Sequence, residues 1–308
     1  MRIIITGGTG LIGRALTASL IGDGHEVILL SRRPDRQAGQ PANVQMHGWD
    51  GKTADGWGHL VDGADAVVNL AGESIGGTGF LPPRWTNTLR QRIMDSRRDA
   101  GKAVVEAARA AHHKPGVVLQ ASAIGFYGPH ADEVLTEDSP SGRDFPAQVC
   151  IAWEQYGDAF KEMGVRHAVI RTGLVLDRHD GVLPRLMLPF KLFGGGPLGS
   201  GKQYMSWIHI ADQVGAMRFL IETKSASGVY NLTAPNPVTS RVFASALGRV
   251  MHRPSFMPAP AFAFKLAFGE VATIIIDGQR VLPERLTQAG YPFQFSELEP
   301  ALRDLIPA

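Results

Sequence analysis

The first thirteen residues, MRIIITGGTGLIG, restrict the fold more than any other stretch of the chain. Arg2–Thr6 is a short apolar run rich in isoleucine, which predicts a strand. Residues 11–20 carry apolar side chains at helical spacing. Between the two, Gly7, Gly10 and Gly13 stand three apart. A strand that turns within four residues into a helix begins a βαβ unit, and each glycine has its own task there. Gly7 permits the tight turn, Gly10 lets the backbone approach a bound diphosphate, and Gly13 lets the helix pack close to the strand. A diphosphate at this turn meets free N–H groups and the positive end of the helix dipole. Gly7, Thr9, Gly10, Leu11, Ile12 and Gly13 are therefore the expected contacts to a dinucleotide.

The pattern continues. Strands are predicted at 25–30, 44–47, 64–70, 116–121 and 165–171, and long helices at 85–111 and 147–163. Runs such as ADAVVNL at 64–70 are apolar without alternation, which suits a parallel sheet covered on both faces. Alternating strands and helices imply right-handed crossovers and an α/β fold with a Rossmann-type doubly wound parallel sheet. Beyond Arg171 the texture changes. Residues 181–201 are dense in Gly and Pro and read as a long shaped loop. Helices are expected at 208–222 and 238–250, a strand at 228–232, and helical pieces at 261–276, 283–289 and 296–305. This divides the chain into a dinucleotide-binding domain, 1–222, and a smaller C-terminal substrate lobe, 223–308. Residues 173–205 contribute to the lobe, and a distinct tail starts near 258.

Charge and cysteine content exclude several classes. Lys and Arg number 31 against 29 Asp and Glu, and no basic stripe is present, so nucleic acid is not expected as a partner. The lone Cys150 rules out an intrachain disulfide framework and a multi-cysteine zinc site, and no metal is expected. No uncharged apolar stretch reaches the ~18 residues of a membrane span, and the N-terminus lacks the features of a secretory leader. The reading is a cytoplasmic protein with a small-molecule substrate and no membrane partner.

The end of the second strand selects the nucleotide. An acidic residue ~20 positions beyond the glycines would hold the ribose 2′-hydroxyl of NAD. Here that place reads Ser31-Arg32-Arg33. A hydroxyl and guanidinium groups suit a 2′-phosphate, which points to NADP(H); the other reading is solvated loop charge. Asp35 stands beyond Pro34, too late to serve. Leu70, Ala71 and Gly72 end the fourth strand with small residues that let the chain run beside a ribose. On the next helix Arg97 is the candidate for a cofactor phosphate, against the alternative of a surface arginine.

The segments TGGTGLIG, VVNLAG, ASAIGFYG and RTGLVL resemble an extended short-chain dehydrogenase/reductase of the NAD-dependent epimerase/dehydratase superfamily. More narrowly, the chain is similar to its atypical, sugar-nucleotide-epimerase-like branch. That likeness rests on Arg84-Trp85, Cys150-x-x-Trp153-Glu154, GGGPLGSG at 194–201, SWIHI at 206–210 and YNLTAP at 230–235. GQRVLPERL at 278–286 resembles the branch's C-terminal domain. The resemblance implies a Rossmann fold and NADP(H) binding, with Ser31, Arg32, Leu70, Ala71, Arg97 and Val175 at cofactor positions. It does not supply a substrate.

Most of that superfamily pairs a serine with a tyrosine and a lysine four apart on a helix, so that the tyrosine moves a proton during hydride transfer. Ser122 stands where the serine belongs. The tyrosine and lysine are absent, and Cys150 and Glu154 occupy their places. A carboxylate raises a neighbouring thiol's pKa, so this pair does not reproduce the chemistry. Tyr156 and Lys161 are five apart and do not share a helix face. Two functions follow. One is an NADP(H)-dependent oxidoreductase or epimerase-like enzyme on a small polar, sugar-like substrate, with Ser122 orienting it and Tyr127 or a water moving the proton. The other is a non-catalytic NADP(H)-binding redox sensor or partner-binding protein. Arg171 would hold a substrate anion or anchor its loop by an ion pair. Trp207 and His209, read as opening a helix, would face the substrate, with His209 an acid–base group or a structural one. The long helices at 85–111 and 147–163 resemble those that pair between subunits, so a homodimer is expected.

Overall fold

The computed structural model describes residues 1–34, 42–77, 79, 83–259, 261, 262, 266 and 269–307. The first half runs β1 (Arg2–Thr6), α1 (Leu11–Gly22), β2 (Glu26–Ser31), β3 (Val44–Gly48), β4 (Ala66–Asn69), α2 (Asn87–Ala110), β5 (Val117–Ala123) and β6 (Val134–Leu135). There follow α3 (Phe145–Glu154), α4 (Gly157–Glu162), β7 (Arg166–Thr172), β8 (Leu174–Leu176), α5 (Leu183–Lys191), β9 (Tyr204–Met205), β10 (Trp207–His209) and α6 (Ile210–Glu222). The chain continues through β11 (Gly228–Leu232), β12 (Val238–Thr239), α7 (Ser240–Met251), β13 (Arg280–Val281) and a last helix, Leu298–Leu305. Seven strands form one sheet in the order β11-β7-β5-β4-β1-β2-β3, every neighbouring pair parallel. The doubly wound parallel sheet expected from the sequence is present.

Strand periodicity explains why both faces are covered. Ile3 and Ile5 point to one side and pack with Leu16 and Leu20 of α1 and Met217 and Leu220 of α6. Ile4 and Ile28 point to the other, against Ala100, Ala103, Val104 and Ala107 of α2. Alternate residues of one strand thus serve two layers. Each fully buried Ile or Leu contributes roughly 1.5–3 kcal/mol, and the alanines of α2 let that helix lie close to the sheet. Side chains start the long helices: Thr86 Oγ1 accepts from Leu89 N (3.2 Å), and Asp144 Oδ1 from Ala147 N (3.0 Å).

A further apolar cluster joins Leu183, Met187 and Phe190 of α5 to Trp207, to Phe243 and Leu247 of α7, and to Leu298 and Leu302 of the last helix. Asp212 fastens the C-terminal segment to α6. Its Oδ1 accepts from Gln294 N and its Oδ2 from Phe295 N, both at 2.8 Å. No helix among the described residues is long and apolar enough to cross a membrane.

Three local expectations are corrected. Residues 181–201 are not all loop, because α5 lies within them. Pro184 sits in its first turn, where a missing N–H is harmless, and Pro189 comes near its end. The helix expected at 147–163 is two helices, α3 and α4, broken between Glu154 and Gly157. Trp207 does not open a helix, and His209 does so only as the N-cap of α6. They form β10, paired in parallel with β8 in the register Trp207↔Leu174 and His209↔Leu176, and α6 starts after them. The piece expected at 261–276 and Asp35 fall partly or wholly outside the described residues. Of the former, a turn at Gly269–Ala272 and a short helix, Thr273–Ile276, are seen.

Candidate functional site

The sheet order reverses between β1 and β4, and the crevice beyond their carboxyl ends is where an open α/β sheet receives a ligand. A buried polar ladder fixes the two loops that line it. Thr6, in register with Asn69, donates its hydroxyl to Asn69 Oδ1 (2.6 Å), and Asn69 Nδ2 donates to Gln120 Oε1 (2.9 Å). Ala71 N donates to Thr6 Oγ1 (3.1 Å), which ties the β4 loop to β1.

The three glycines answer to different demands. Gly7 has φ +67°, and a Cβ there would sit 2.8 Å from the Leu70 carbonyl. A Cβ on Gly13 would meet Gly7 O and Gly8 Cα at 2.6 Å. Both are required by the protein's own packing. At Gly10 a Cβ would meet only Gly7 O, at 3.4 Å. The fold has room for a side chain at Gly10, yet Gly10 is the N-cap of α1, with no side-chain cap and no acidic residue in the first turn. Thr9 and Gly10 are exposed and Leu11 and Ile12 half-buried, so this edge of the turn is open. Val175 reaches the same place: a Cβ on Gly181 would lie 3.0 Å from Leu11 Cδ2 and 3.7 Å from Val175 O.

At the end of β2, Ser31 Oγ accepts from Arg33 N (3.1 Å), and the side chains of Arg32 and Arg33 are exposed. Across the crevice Leu70 and Ala71 are half-buried and Gly72 is exposed. A Cβ on Gly72 would touch Arg97 Cζ at 3.0 Å. Arg97 is 6% exposed. Its Nη1 donates to Glu73 O (2.9 Å) and Ile93 O (3.1 Å), its plane lies 4.4 Å over the Trp153 ring, and its Nε has no partner. Burial pushes its pKa down to about 10, which leaves it charged at neutral pH. The Glu73 carboxylate pairs with the more exposed Arg92 instead. Arg97 is therefore no surface arginine. Among the described residues it is a buried cation with no carboxylate in ion-pair contact, beside the glycine that closes β4.

Ser122 and Glu154 meet one layer behind. Ser122 Oγ donates to Glu154 Oε1 (2.5 Å), and Arg171 clamps the same carboxylate through Nε to Oε1 (2.9 Å) and Nη2 to Oε2 (2.8 Å). Arg171 Nη1 also donates to Tyr127 Oη (3.1 Å), which donates to Asn231 Oδ1 (2.7 Å). This corrects two expectations. Tyr127 is fully buried, and burial pushes its pKa up, so it holds the network together and does not face a substrate. Arg171 is spent on Glu154, the ion-pair alternative given for it, and does not await an anion. Ser122 itself stands at the end of β5, as expected. Cys150, one helical turn before Glu154, packs with Sγ 3.5 Å from Ala123 O. Burial, with Glu154 adding to it, pushes its thiol up to about 11.

A cavity of about 190 Å³ opens next to these groups. Ile124, Pro146, Val149 and Leu174 give it apolar walls, with Arg97 and Cys150 on its lining. Trp207 and His209 do not reach it. Trp207 is fully buried in the α5–α7 cluster, its Nε1 donating to Asn236 O (3.2 Å). His209 caps α6, its Nδ1 accepting from Ala211 N (3.1 Å), and its ring lies 4.0 Å from that of Phe295. Burial lowers its pKa against the pull of Asp304. Both are structural because β10 is a buried strand. The expectations named neither Glu154 as the ion-pair partner of Arg171 nor the Trp153 platform under Arg97. Nothing local announces either, because each joins residues on different elements.

A family model described as NAD dependent epimerase/dehydratase family matches residues 3–233, and one for a domain of unknown function, DUF1731, matches 259–305. Epimerase family protein YfhF of Bacillus subtilis (strain 168) is 38% identical over 99% of this chain and 98% of its own length. Epimerase family protein SDR39U1 of Mus musculus is 36% identical over 99% of this chain and 100% of its own. The crystal structure of human epimerase family protein SDR39U1 (isoform2) with NADPH covers 99% of each chain at 34% identity and a TM-score of 0.87. Matched along most of its length by the family model and along nearly all of it by these relatives, the chain belongs to the NAD-dependent epimerase/dehydratase family and carries a C-terminal DUF1731 region.

Proposed function

We propose that this chain is an NADP(H)-dependent oxidoreductase or epimerase-like enzyme acting on a small substrate held in the cavity beside Ser122. The observation that carries the reading is Arg97. A buried guanidinium with no carboxylate in ion-pair contact among the described residues is costly unless an anion reaches it, and this one stands on the ligand crevice of a Rossmann sheet. The residues present fit the cofactor. Gly10 leaves room at the helix N-terminus for a diphosphate, and Ser31, Arg32 and Arg33 offer donors to a 2′-phosphate. The human relative was crystallised with NADPH. When bound, the nicotinamide would supply or accept a hydride.

The protein's own part is proton handling. Ser122 donates to Glu154, which leaves its lone pairs free to accept a proton from a substrate hydroxyl. Its own proton then has a 2.5 Å path to Glu154 Oε1, and the two hydrogen bonds from Arg171 hold that carboxylate in place. Cys150 stays a neutral thiol and shapes the wall. The wider expectation, a cytoplasmic homodimer associating through the outer faces of α2 and α3, belongs to this proposal; a monomer mass by light scattering would remove the dimer.

The test has two steps. Calorimetry should show NADPH binding more tightly than NADH, and a preference lost in Arg32→Ala. NADPH consumption with a panel of small aldehydes, ketones and sugar derivatives should then find a substrate whose turnover fails in Ser122→Ala. Tight binding without any turnover would favour the second reading, a non-catalytic NADP(H) sensor, to which the engagement of Ser122 by Glu154 already lends weight. Absence of binding to either nucleotide would defeat both.

A further inference from the structure

The six large apolar side chains that are more than half exposed among the described residues are Leu192, Phe193, Phe256, Met257, Phe262 and Leu266. All lie in two stretches, 181–211 and 223–269, that contain no Asp or Glu. These stretches hold eight of the 31 lysines and arginines, whereas all 29 acidic residues lie elsewhere. The overall charge of +2 conceals this division.

The two stretches meet in space. Met257 N donates to Gly195 O (3.0 Å) and Ala259 N to Pro197 O (3.0 Å). Arg253 lies 4.6 Å over the Phe193 ring. The inner face of α5 buries Leu183, Met187 and Phe190, while its outer face exposes Leu188 and Leu192, one turn apart, with Lys191 beside them. The outer face of α5 therefore carries an uncovered apolar strip next to a cation. Phe193 adds an independent mark. Its φ is +61°, a left-handed conformation that strains a bulky side chain and is usually given to glycine after a helix. The aromatic ring is nevertheless 59% exposed, so burial within the chain does not offset the strain. The surface also adjoins the cavity, because a Cβ on Gly199 would lie 3.7 Å from both Ala261 Cβ and Ile276 Cγ2, and Asp277 and Gly278 line the cavity wall.

From these observations we infer that this face docks on an anionic lipid bilayer, with Leu192, Phe193, Phe256 and Met257 entering the interface and Lys191 and Arg253 meeting the headgroups. Exposed aromatic and aliphatic side chains with Lys191 and Arg253 beside them are what such a surface selects, and the two stretches themselves carry no carboxylate that it would repel. The expectation of no membrane partner rested on the lack of a spanning segment, which interfacial docking does not need. The inference is independent of cofactor binding.

Sedimentation of the purified full chain with vesicles tests it. Phosphatidylcholine vesicles containing about 30% phosphatidylglycerol should capture the protein, those of phosphatidylcholine alone should not, and about 0.5 M NaCl should release it. The Leu192→Ser/Phe256→Ser variant changes side chains 72% and 73% exposed, so it retains the fold by circular dichroism. Its capture should fall about tenfold or more. Phe193→Gly should weaken capture while leaving the thermal midpoint equal or higher. Capture that ignores phosphatidylglycerol, or that the double variant retains, overturns the inference. So does a dimer in solution that this variant turns into a monomer, which would give the face to a second copy, or a midpoint that falls in Phe193→Gly.

Discussion

Ser122 and Arg171 share one oxygen: Glu154 Oε1 accepts the serine hydroxyl at 2.5 Å and the arginine Nε at 2.9 Å. The carboxylate thus sits between a candidate reacting group and a guanidinium whose side chain is 5% exposed. Removing one member of such a pair leaves the other charge buried and unmatched. Glu154→Ala should therefore lower unfolding stability by roughly 3–5 kcal/mol. Glu154→Ala/Arg171→Met should recover a large part of that loss, because an apolar replacement removes the orphan charge. Urea denaturation of both variants checks this. A single variant as stable as the parent, or a double variant no better than the single, would show that the pair does not hold this part of the fold.

Gly10 and Gly13 look equivalent in the sequence but are not equivalent in space. Gly13→Ala forces a methyl to 2.6 Å from backbone atoms of Gly7 and Gly8 and should cost about 1–3 kcal/mol. Gly10→Ala has 3.4 Å to its nearest protein atom and should leave the thermal midpoint nearly unchanged. If the diphosphate lies against Gly10, the same substitution should weaken NADPH about tenfold or more. Paired melting curves and titrations separate the effects, and a Gly10→Ala protein that binds NADPH like the parent contradicts the placement.

Arg97 invites the opposite combination. Its charge is buried without a carboxylate, so Arg97→Met should keep the packing on Trp153 and leave stability equal or up to about 1 kcal/mol higher. NADPH binding should weaken by one to two orders of magnitude, on the scale of a charge-assisted hydrogen bond of about 1.5–3 kcal/mol. A methionine variant that is markedly destabilised but binds NADPH normally would make Arg97 a structural residue.

What could be read in advance divides along a physical line. The Gly7 turn, the Ser122 position and the doubly wound parallel sheet follow from local rules: backbone geometry that demands glycine, apolar runs, and the handedness of βαβ units. Tyr127 and Arg171 were legible as neighbours of the sheet edge, but not as partners, because their bond and the Asn231 contact join residues 44 and 104 positions apart. His209 does stand at a helix start, as the N-cap of α6, but Trp207–His209 also pairs with Leu174–Leu176, and no local signal encodes that strand partner. The prolines of α5 read as loop chemistry, although Pro184 sits where a helix tolerates it. The polarity of the α5 surface was in the sequence throughout, hidden by a net charge near zero.

His167 offers a pH dependence remote from the cavity. It stands on β7, stacked on Phe160 with centroids 5.0 Å apart, and its Nε2 has no hydrogen-bond partner. Burial lowers its pKa from 6.5 to about 4, so the folded protein holds it neutral while the unfolded chain protonates it. The unfolded state then binds more protons across that interval, and stability rises with pH there. The contribution is complete above pH 6.5 and is lost as the pH falls toward 4, by up to about 3 kcal/mol on the scale of 1.36 kcal/mol per unit. His167→Phe keeps an aromatic ring against Phe160 and cannot protonate. Its stability should fall less between pH 7 and pH 4 than that of the parent, by about 1–3 kcal/mol in denaturant titrations at the two pH values. Parallel losses in the two proteins would mean that acid acts through the carboxylates alone, and that the His167 ring is reached by water in the folded state.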